Sequence, residues 1–267
     1  MFPATVGGAP FAGEAVVLWG PLFTTHTTLT SPMPESGDVF GRPVVVSDCT
    51  GDGIDDLIVG NGGDDVAGIL NQGSIHVFSG PNLAYETRID NPHPGVPFAY
   101  FGDYLHCADF TGDGLADVLT CDDLDRAYIF IAPTFDEFIE IDKPFSYDPN
   151  PAVGFFGCML GSGDANDDGM RDALIGDPIE GSTSGCPDQG TGTLYIALAP
   201  YFSTFYRLND VVGSCGSAFA DTGGTAADLD GDSRIELIVG SYSTDWGGMQ
   251  NAGHVTVFDD ALKSSQH

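Results

Sequence analysis

Short apolar runs alternate with acidic and glycine-rich stretches along the whole chain. Four such runs directly follow an acidic stretch: DLIVG (56–60), DVLTC (117–121), DALIG (172–176) and ELIVG (236–240). They are too short for helices, and their aliphatic, partly β-branched content favours buried strands. Alternating apolar and polar residues follow further on: GSIHVFSGP (73–81), RAYIFIAP (126–133), GTLYIALAP (192–200) and GHVTVFDD (253–260). The pattern predicts an all-β protein.

A nine-residue acidic motif precedes each of the four apolar runs. It reads DCTGDGIDD from position 48, DFTGDGLAD from 109, DANDDGMRD from 164 and DLDGDSRIE from 228. Every copy has an acid at motif positions 1, 5 and 9 and an oxygen-bearing side chain at position 3. With the carbonyl of position 7, these are the oxygen ligands that a hard cation requires. The motif predicts about four structural Ca²⁺ ions.

The motif is not an EF-hand. An EF-hand loop needs a bidentate glutamate at position 12. Position 12 is Val59, Thr120, Ile175 or Val239 in the four copies. The metal loop is therefore predicted to join two β-strands.

The four loops mark a sequence repeat with a period of about sixty residues. In three repeats a Phe-Gly pair stands seven residues before the loop and begins a first strand: Phe40-Gly41, Phe101-Gly102 and Phe156-Gly157. The loop leads into the second strand, a glycine-rich connection and the third strand. A more polar segment follows at 83–90, 135–142 and 201–208. Its charge is typical of an outer edge strand.

Four antiparallel strands in each repeat are typical of a β-propeller blade. The Phe-Gly pair, the DxxGDGxxD loop, the DLIVG strand and the GxxxxFxGP strand resemble the FG-GAP repeat of integrin α-subunit propellers and their bacterial and archaeal relatives. The resemblance covers nearly the whole chain. By motif position it implies calcium ligands at Asp48, Thr50, Asp52, Ile54, Asp56, Asp109, Thr111, Asp113, Leu115, Asp117, Asp164, Asn166, Asp168, Met170, Asp172, Asp228, Asp230, Asp232, Arg234 and Glu236, with the backbone carbonyl serving at position 7.

The fourth repeat departs from the pattern. Phe219-Ala220 replaces Phe-Gly and is offset by one residue, and Ser233 replaces the glycine at loop position 6. Position 6 favours glycine because the chain turns sharply there. Glu236 replaces the aspartate of position 9. We therefore expect the fourth calcium site to be the weakest.

Both ends of the sequence interrupt a repeat. Residues 6–30 match only the latter part of a repeat, and the fourth repeat stops soon after its third strand. We predict one propeller over 1–267, with a partial blade at 1–35 and blades at about 36–96, 97–150, 151–210 and 211–267. Either five blades close into a small ring, or the chain is an arc of a larger propeller. The resemblance implies a seven-bladed ring, which needs about 420 residues at this period. We favour a fragment, because both ends interrupt a repeat.

The chain is strongly acidic, with 39 Asp and Glu against 8 Lys and Arg and a formal charge of −31. Nucleic acid and anionic membranes are therefore excluded as partners. No apolar run is long enough for a membrane-spanning helix. The N-terminus lacks the basic segment of a signal peptide. Calcium loops of this kind belong outside a cell, so we expect a piece of a longer extracellular or cell-surface protein.

The six cysteines permit many pairings, and their spacing selects none. Cys186 with Cys215 is preferred because both lie in glycine-rich connections. No CxxC pair occurs, which argues against zinc.

Candidate catalytic residues are few. The six histidines occupy unrelated repeat positions, and GSTSG (181–185) has Thr183 where a nucleophile elbow requires serine. We predict a protein that is not an enzyme, with no catalytic residue.

Long connections between second and third strands lie at 61–72, 177–191 and 241–252 and include Tyr242, Trp246 and Met249. In a blade they emerge opposite the metal loops. Variable loops on a rigid scaffold often bind ligands, although solvent-covered loops are an equal alternative. The resemblance implies an adhesion or interaction module that binds protein or glycan there. The alternative is a non-catalytic accessory propeller of a secreted enzyme, such as a phospholipase or polysaccharide lyase.

Overall fold

The computed structural model describes residues 4–144, 155–157, 159–180, 191–211, 216–232, 234–245, 249–259 and 262. The chain forms two compact units, Met1–Leu105 and His106–His267. Within the described residues every regular element is a β-strand except one 3-10 turn at Val66–Gly68. The prediction of an all-β protein is confirmed.

The N-terminal unit contains two antiparallel sheets. The first pairs β1 (Ala15–Trp19) with β2 (Thr25–Leu29). The second has the order β3-β4-β5-β6, and its strands span Val44–Ser47, Asp56–Asn61, Ser74–Ser79 and Ala84–Asp90. The two-stranded sheet lies within residues 1–35, and the partial blade predicted there stays a prediction.

The C-terminal unit contains three sheets. In the first, β7 (Leu105–Ala108) starts at the boundary between the units and is followed by β8 (Asp117–Asp122), β9 (Arg126–Phe130) and β10 (Phe138–Asp142). The second sheet runs β11 (Met159–Gly163), β12 (Asp172–Asp177), β13 (Thr193–Ala197) and β14 (Phe205–Asn209). The third has the strands β15 (Phe219–Ala227), β16 (Glu236–Ser241) and β17 (His254–Phe258).

The second strands form the centre of the sheets. All six residues of β4, β8 and β12 are buried, as are all five of β13. Burial on both faces explains why the second strands read as continuous apolar runs instead of alternating ones. The outer strand β6 is mostly exposed over its first half. The several four-stranded antiparallel sheets agree with propeller blades, whereas the number of blades and the repeat boundaries stay predictions.

Consecutive sheets within a unit pack face to face. Ala15 of β1 joins Phe40, Leu57, Val59 and Phe78 in one apolar cluster. In the C-terminal unit a second cluster joins the sheets β11–β14 and β15–β17: Met159, Leu174, Leu194, Ile196, Phe219, Ala220, Leu237 and Val239. Apolar packing between neighbouring sheets is therefore the main stabilising contact.

In three of the four repeats the phenylalanine before the metal loop holds the backbone of the repeat before it: Phe40, Phe101 and Phe219. Phe101 donates its backbone N–H to Gln72 O at 3.1 Å, and a Cβ on the adjacent Gly73 would overlap the backbone of Phe101. Gly13 meets Phe40 and Gly192 meets Phe219 in the same way. We call this contact the Phe-Gly lock. The third strands open near glycine because a neighbouring backbone occupies the space of a side chain.

The fourth repeat keeps the lock despite its extra residue. Phe219 donates to Thr191 O, and Ala220 takes the glycine position with φ of 60°. The register between β15 and β16 shifts between Phe219 and Gly224, where five residue steps of β15 lie opposite two of β16. This irregularity accommodates the one-residue offset in the sequence. The pairing preferred for Cys186 and Cys215 lies outside the described residues.

Candidate metal centre

Each acidic loop joins the first and second strands of its sheet. The loops connect β3 to β4, β7 to β8, β11 to β12 and β15 to β16. The prediction that the motif links two strands is confirmed. The four loops therefore occupy the same corner of four sheets.

The acid at position 1 folds over its own loop. Asp48 accepts the N–H of Gly51 at 2.8 Å on one carboxylate oxygen and that of Gly53 at 2.9 Å on the other. The first-position acids of the other loops also accept N–H bonds from their own loop: Asp109, Asp164 and Asp228. Each carboxylate oxygen has further lone pairs that could face a cation.

The acid at position 5 is exposed in all four loops. One oxygen of each side chain accepts the N–H of the position-7 residue at 2.8 to 2.9 Å. The pairs are Asp52 with Ile54, Asp113 with Leu115, Asp168 with Met170 and Asp232 with Arg234. The second carboxylate oxygen of this acid could coordinate a metal without breaking the hydrogen bond that forms the turn.

The acid at position 9 is buried and holds the loop to the sheet. Asp56 is 1% exposed; its Oδ2 accepts the N–H groups of Cys49 and Thr50 at 2.9 and 2.8 Å. Its Oδ1 accepts the N–H of Gly80, 24 residues later, at 3.1 Å. We call this buried acid with its backbone donors the bracket.

The bracket recurs in the second and third loops. Asp117 accepts from Phe110, Thr111 and Ala132, and Asp172 accepts from Ala165 and Ala199. The distant donor directly precedes a cis proline after the third strand: Gly80, Ala132 and Ala199. Glu236 of the fourth loop accepts the N–H of Leu229 at 2.6 Å.

Sequence analysis assigned position 9 only to the metal and did not find the bracket. The Gly-Pro or Ala-Pro pair at the end of each third strand was visible, but its separation from the acid varies from 15 to 27 residues. Fixed spacing could not reveal the contact. The repeated pairing of an acid with a later X-Pro was the available signal.

Burial and neighbouring charges act on the position-9 acids. Burial raises the pKa of Asp172 to about 6, and the acids at positions 1 and 5 of its loop add to this effect. Burial also raises the pKa of Asp117, with the acid at position 5 adding to it. Burial acts in the same direction on Asp56, but its N–H bonds outweigh it and that pKa is lowered. A divalent cation would relieve the repulsion within such loops.

Position 3 supplies a threonine hydroxyl in the first two loops, an asparagine amide in the third and an aspartate carboxylate in the fourth. The hydroxyl oxygen of Thr111 is buried and has no hydrogen-bond partner among the described residues, so it is available to a metal. Thr50 approaches Asp56 at 3.4 Å, and Asn166 donates to Asp168 at 2.9 Å. The donor set of hydroxyl, amide and carboxylate oxygens fits a hard cation such as Ca²⁺.

The fourth loop brings its acids closest together. Oxygen atoms of Asp228, Asp230 and Glu236 lie within 4.8 Å of one another. Asp230 is an acid where the other loops have threonine or asparagine. Ser233, on which the expected weakness of this site depends, lies outside the described residues. The ranking of the fourth site stays a prediction.

The connections between second and third strands lie at the other end of each sheet from the metal loops, because these strands are antiparallel. Tyr242 and Met249 are 58% and 63% exposed there. Trp246 lies outside the described residues. This end of the sheets presents apolar side chains to solvent within the fourth repeat.

Comparisons with known proteins agree with this architecture. No protein-family model matches the chain. The chain is 27% identical over 243 residues to integrin alpha-PS2 of Drosophila melanogaster, which covers 82% of this chain and 16% of that protein. It is 26% identical over 204 residues to phosphatidylinositol-glycan-specific phospholipase D of Mus musculus, covering 70% of this chain and 23% of that protein.

The chain thus spans less than a quarter of the length of either relative. Among the described residues no helix has the length and apolar character needed to cross a membrane. The similarity to the integrin extends across most of the four acidic repeats. The chain is similar to integrin alpha-PS2, in agreement with the resemblance of its loops and Phe-Gly pairs to the FG-GAP repeat.

Proposed function

We propose that this chain is a calcium-binding β-propeller module of an extracellular or cell-surface protein that binds a protein or glycan ligand. The observation that carries the proposal is the repeated loop, which places equivalent oxygen-bearing side chains at the same corner of four sheets. The similarity to an integrin α-chain over 82% of the sequence supports an adhesion role.

Calcium has a structural role in this proposal. The predicted ligands at positions 1, 3, 5 and 9 bring several negative charges into a loop of nine residues. A bound Ca²⁺ neutralises them and adds bonds that exist only in the folded state. The bracket supports the proposal, because it orders each loop before a metal arrives.

Ligand binding is assigned to the connections between second and third strands. They lie opposite the metal loops within each sheet, so a ligand and calcium do not compete for the same residues. Exposed Tyr242 and Met249 offer an apolar contact surface of the kind that partners bind. The formal charge of −31 favours a partner with a basic or neutral surface.

A second candidate is a non-catalytic accessory propeller of a secreted enzyme. The similarity to a phospholipase D over 70% of the chain supports it. The candidates differ in what the complete gene encodes. A hydrolase domain in the same reading frame would favour the accessory role, and a large adhesion-type extracellular region would favour the first proposal.

The proposal is tested by probing a protein and glycan array with the purified chain, with Ca²⁺ and with EDTA. We expect binding that Tyr242→Ser weakens and that requires Ca²⁺. Tyr201→Ser is the matched control, because Tyr201 is 81% exposed but lies in the turn between β13 and β14, at the metal-loop end of its sheet. Equal loss of binding in both variants would contradict the assigned ligand end.

A further inference from the structure

A cavity of about 240 Å³ lies in the N-terminal unit beside the connection between β4 and β5. Its lining includes Ser31, Met33, Asp64, His76, Tyr85 and Arg88. Asp64 and His76 are 8% and 2% exposed. A comparison with the third repeat indicates which chemical group fits here.

Backbone hydrogen bonds identify the equivalent positions. Gly73 donates its N–H to Asp64 O at 3.0 Å, and Gly192 donates its N–H to Glu180 O at 2.8 Å. Both glycines open the third strand of their sheet and form the Phe-Gly lock. Asp64 and Glu180 therefore occupy the same position of their repeats.

Strand pairing shows that Ser31 corresponds to Lys143. Leu29 pairs with Ala15, and Ile141 pairs with Ala127. Both alanines stand six residues before the proline that follows the third strand. Ser31 and Lys143 each come two residues after the paired outer-strand residue.

In the third repeat an ammonium group lies beside the buried acid that corresponds to Asp64. Lys143 Nζ lies 2.6 Å from Asp177 Oδ2 and 3.2 Å from Glu180 Oε2, with the lysine side chain only 7% exposed. Tyr195 donates its hydroxyl to Glu180 at 2.5 Å, and Arg207 lies 3.3 Å from the same carboxylate. The buried acid is thus paired with cationic and neutral donors.

The first repeat keeps the acid but not the ammonium. Asp64 accepts the hydroxyl of Ser74 at 2.5 Å. Arg88, which corresponds to Arg207, instead pairs with Asp90 at 2.8 Å. Among the described residues no salt bridge reaches Asp64. A carboxylate therefore faces the cavity without a cation of its own.

Two further substitutions leave the place unfilled. His76 replaces Tyr195, so the phenol that donates to Glu180 in the third repeat has no counterpart at this strand position. Asn61 replaces Asp177, and neither the Oδ1 nor the Nδ2 atom of its buried amide has a hydrogen-bond partner within the described part of the chain. Buried polar atoms without partners are rare unless a ligand or water satisfies them.

We propose that this cavity binds a primary ammonium group on a short alkyl chain, with the Asp64 carboxylate as its partner, in the place that Lys143 Nζ holds in the third repeat. The cavity adjoins the connection at 61–72, so the inference rests on the proposed function in giving that end of the sheets a ligand. The ammonium could come from a free amine or from a lysine side chain of a partner protein.

Titration of the full chain with n-butylamine in Ca²⁺ buffer tests the proposal, followed by backbone amide shifts in NMR. We expect shifts centred on Asp64 and His76 and a Kd on the order of 1 mM, since the ligand is small. Asp64→Asn should weaken binding about tenfold or more. Glu86→Gln, an exposed acid on the same sheet, should not. Equal binding of n-butanol, or no binding, would overturn the proposal.

Two further variants test the correspondence without relying on Asp64. Ser31→Lys should place its own ammonium in the cavity, raise the Tm and abolish butylamine binding. Lys143→Ser should lower the Tm and open the equivalent place in the third repeat, so that butylamine raises the Tm of this variant more than that of the parent. A Ser31→Lys variant that binds butylamine as the parent does would contradict the assignment.

A blocked lysine, Nα-acetyl-lysine N-methylamide, separates the two sources. Binding of this compound supports a protein lysine as the ligand, and binding of butylamine alone restricts the site to free amines. Failure of both amines alongside calcium-dependent binding on the array would overturn the ammonium site only. Amine binding without any array ligand would contradict the adhesion role only.

Discussion

Asp117 Oδ1 accepts a hydrogen bond from the backbone N–H of Ala132 at 3.0 Å, although 15 residues separate the two in sequence. The same carboxylate accepts the N–H groups of Phe110 and Thr111. One buried side chain thus connects the metal loop to the end of the third strand. Its contribution does not require a metal.

Asp117→Ala should therefore destabilise the protein even in EDTA. Loss of three N–H bonds at a fully buried acid is expected to cost about 3 kcal/mol. The control is Asp113→Ala, which removes an exposed acid of the same loop and should cost roughly 0.5 kcal/mol without metal. Urea unfolding in EDTA measures both. Equal losses would show that the bracket does not stabilise the loop.

Removal of calcium should lower the Tm of the parent chain. Each site that binds Ca²⁺ only in the folded state adds about 2.7 kcal/mol at a concentration one hundred times its Kd. Differential scanning calorimetry with increasing Ca²⁺, and with EDTA, measures the shift. A melting curve that does not move between EDTA and millimolar Ca²⁺ would exclude structural metal binding.

The fourth site is predicted to matter least for stability. Asp232→Ala should abolish a weaker site than Asp52→Ala, Asp113→Ala or Asp168→Ala, because Ser233 stands where the turn favours glycine. Calcium titration by calorimetry on the four variants gives the ranking. Loss of the tightest site in Asp232→Ala would contradict both the motif register of the fourth loop and the interpretation of Ser233 as a defect.

His76 should make stability depend on acidity. Burial lowers the pKa of His76 to about 4, and the charge of Arg88 acts in the same direction, against a weaker opposing effect of Asp90. The folded protein holds this ring neutral, whereas the unfolded chain takes up a proton below about pH 6.5. His76 therefore lowers the free energy of unfolding as the pH falls from 6.5 to 4, by up to about 3 kcal/mol.

The measurement is the difference in unfolding free energy between the parent and His76→Phe from pH 7 to pH 4. We expect the difference to change across that window. Burial raises the pKa of Asp38 to about 6, which opposes the trend, but this group is common to both proteins and cancels in the difference. A difference that does not vary with pH would contradict a neutral buried His76.

Gly73→Ala should disrupt the Phe-Gly lock. Its φ is 84°, and an added Cβ would overlap the backbone of Phe101, so we expect a loss of about 2–4 kcal/mol. Gly95→Ala is the matched control. Gly95 has φ of 91° with no atom near the added Cβ, so only about 1 kcal/mol of backbone strain is expected. Chemical denaturation of the two variants separates the cost of the steric overlap from the cost of backbone strain.

The strands and the acidic loops between them could be predicted because their signals are local. A buried second strand such as β4 is a continuous apolar run, and each acidic loop has a fixed internal spacing. The bracket and the cavity depend on residues far apart in sequence. No local pattern indicates that Ser31 stands where another repeat has Lys143, since that correspondence requires the strand register.

The one-residue offset before the fourth loop shows the same limit. The sequence shows that Phe219 is displaced by one residue, but only the pairing of β15 with β16 shows that an irregularity within the strand restores the register. An extra residue within a strand moves the side chains that follow it to the opposite face of the sheet, unless a local irregularity of the backbone accommodates it. The strand can therefore keep both its lock and its metal loop.

The bracket has a consequence for how such chains lengthen. All of its partners lie within one repeat, from the acid at position 9 to the X-Pro pair after the third strand. A duplicated gene segment of about sixty residues would therefore bring a complete, self-ordered loop with it. The Phe-Gly lock, between the phenylalanine of the copy and the glycine of the repeat before it, would then join the copy to its neighbour beside the apolar packing between sheets. In the second repeat Asp125 stands at that junction and its carboxylate accepts the N–H of Phe156 at 3.4 Å, so the junction also tolerates a change of residue.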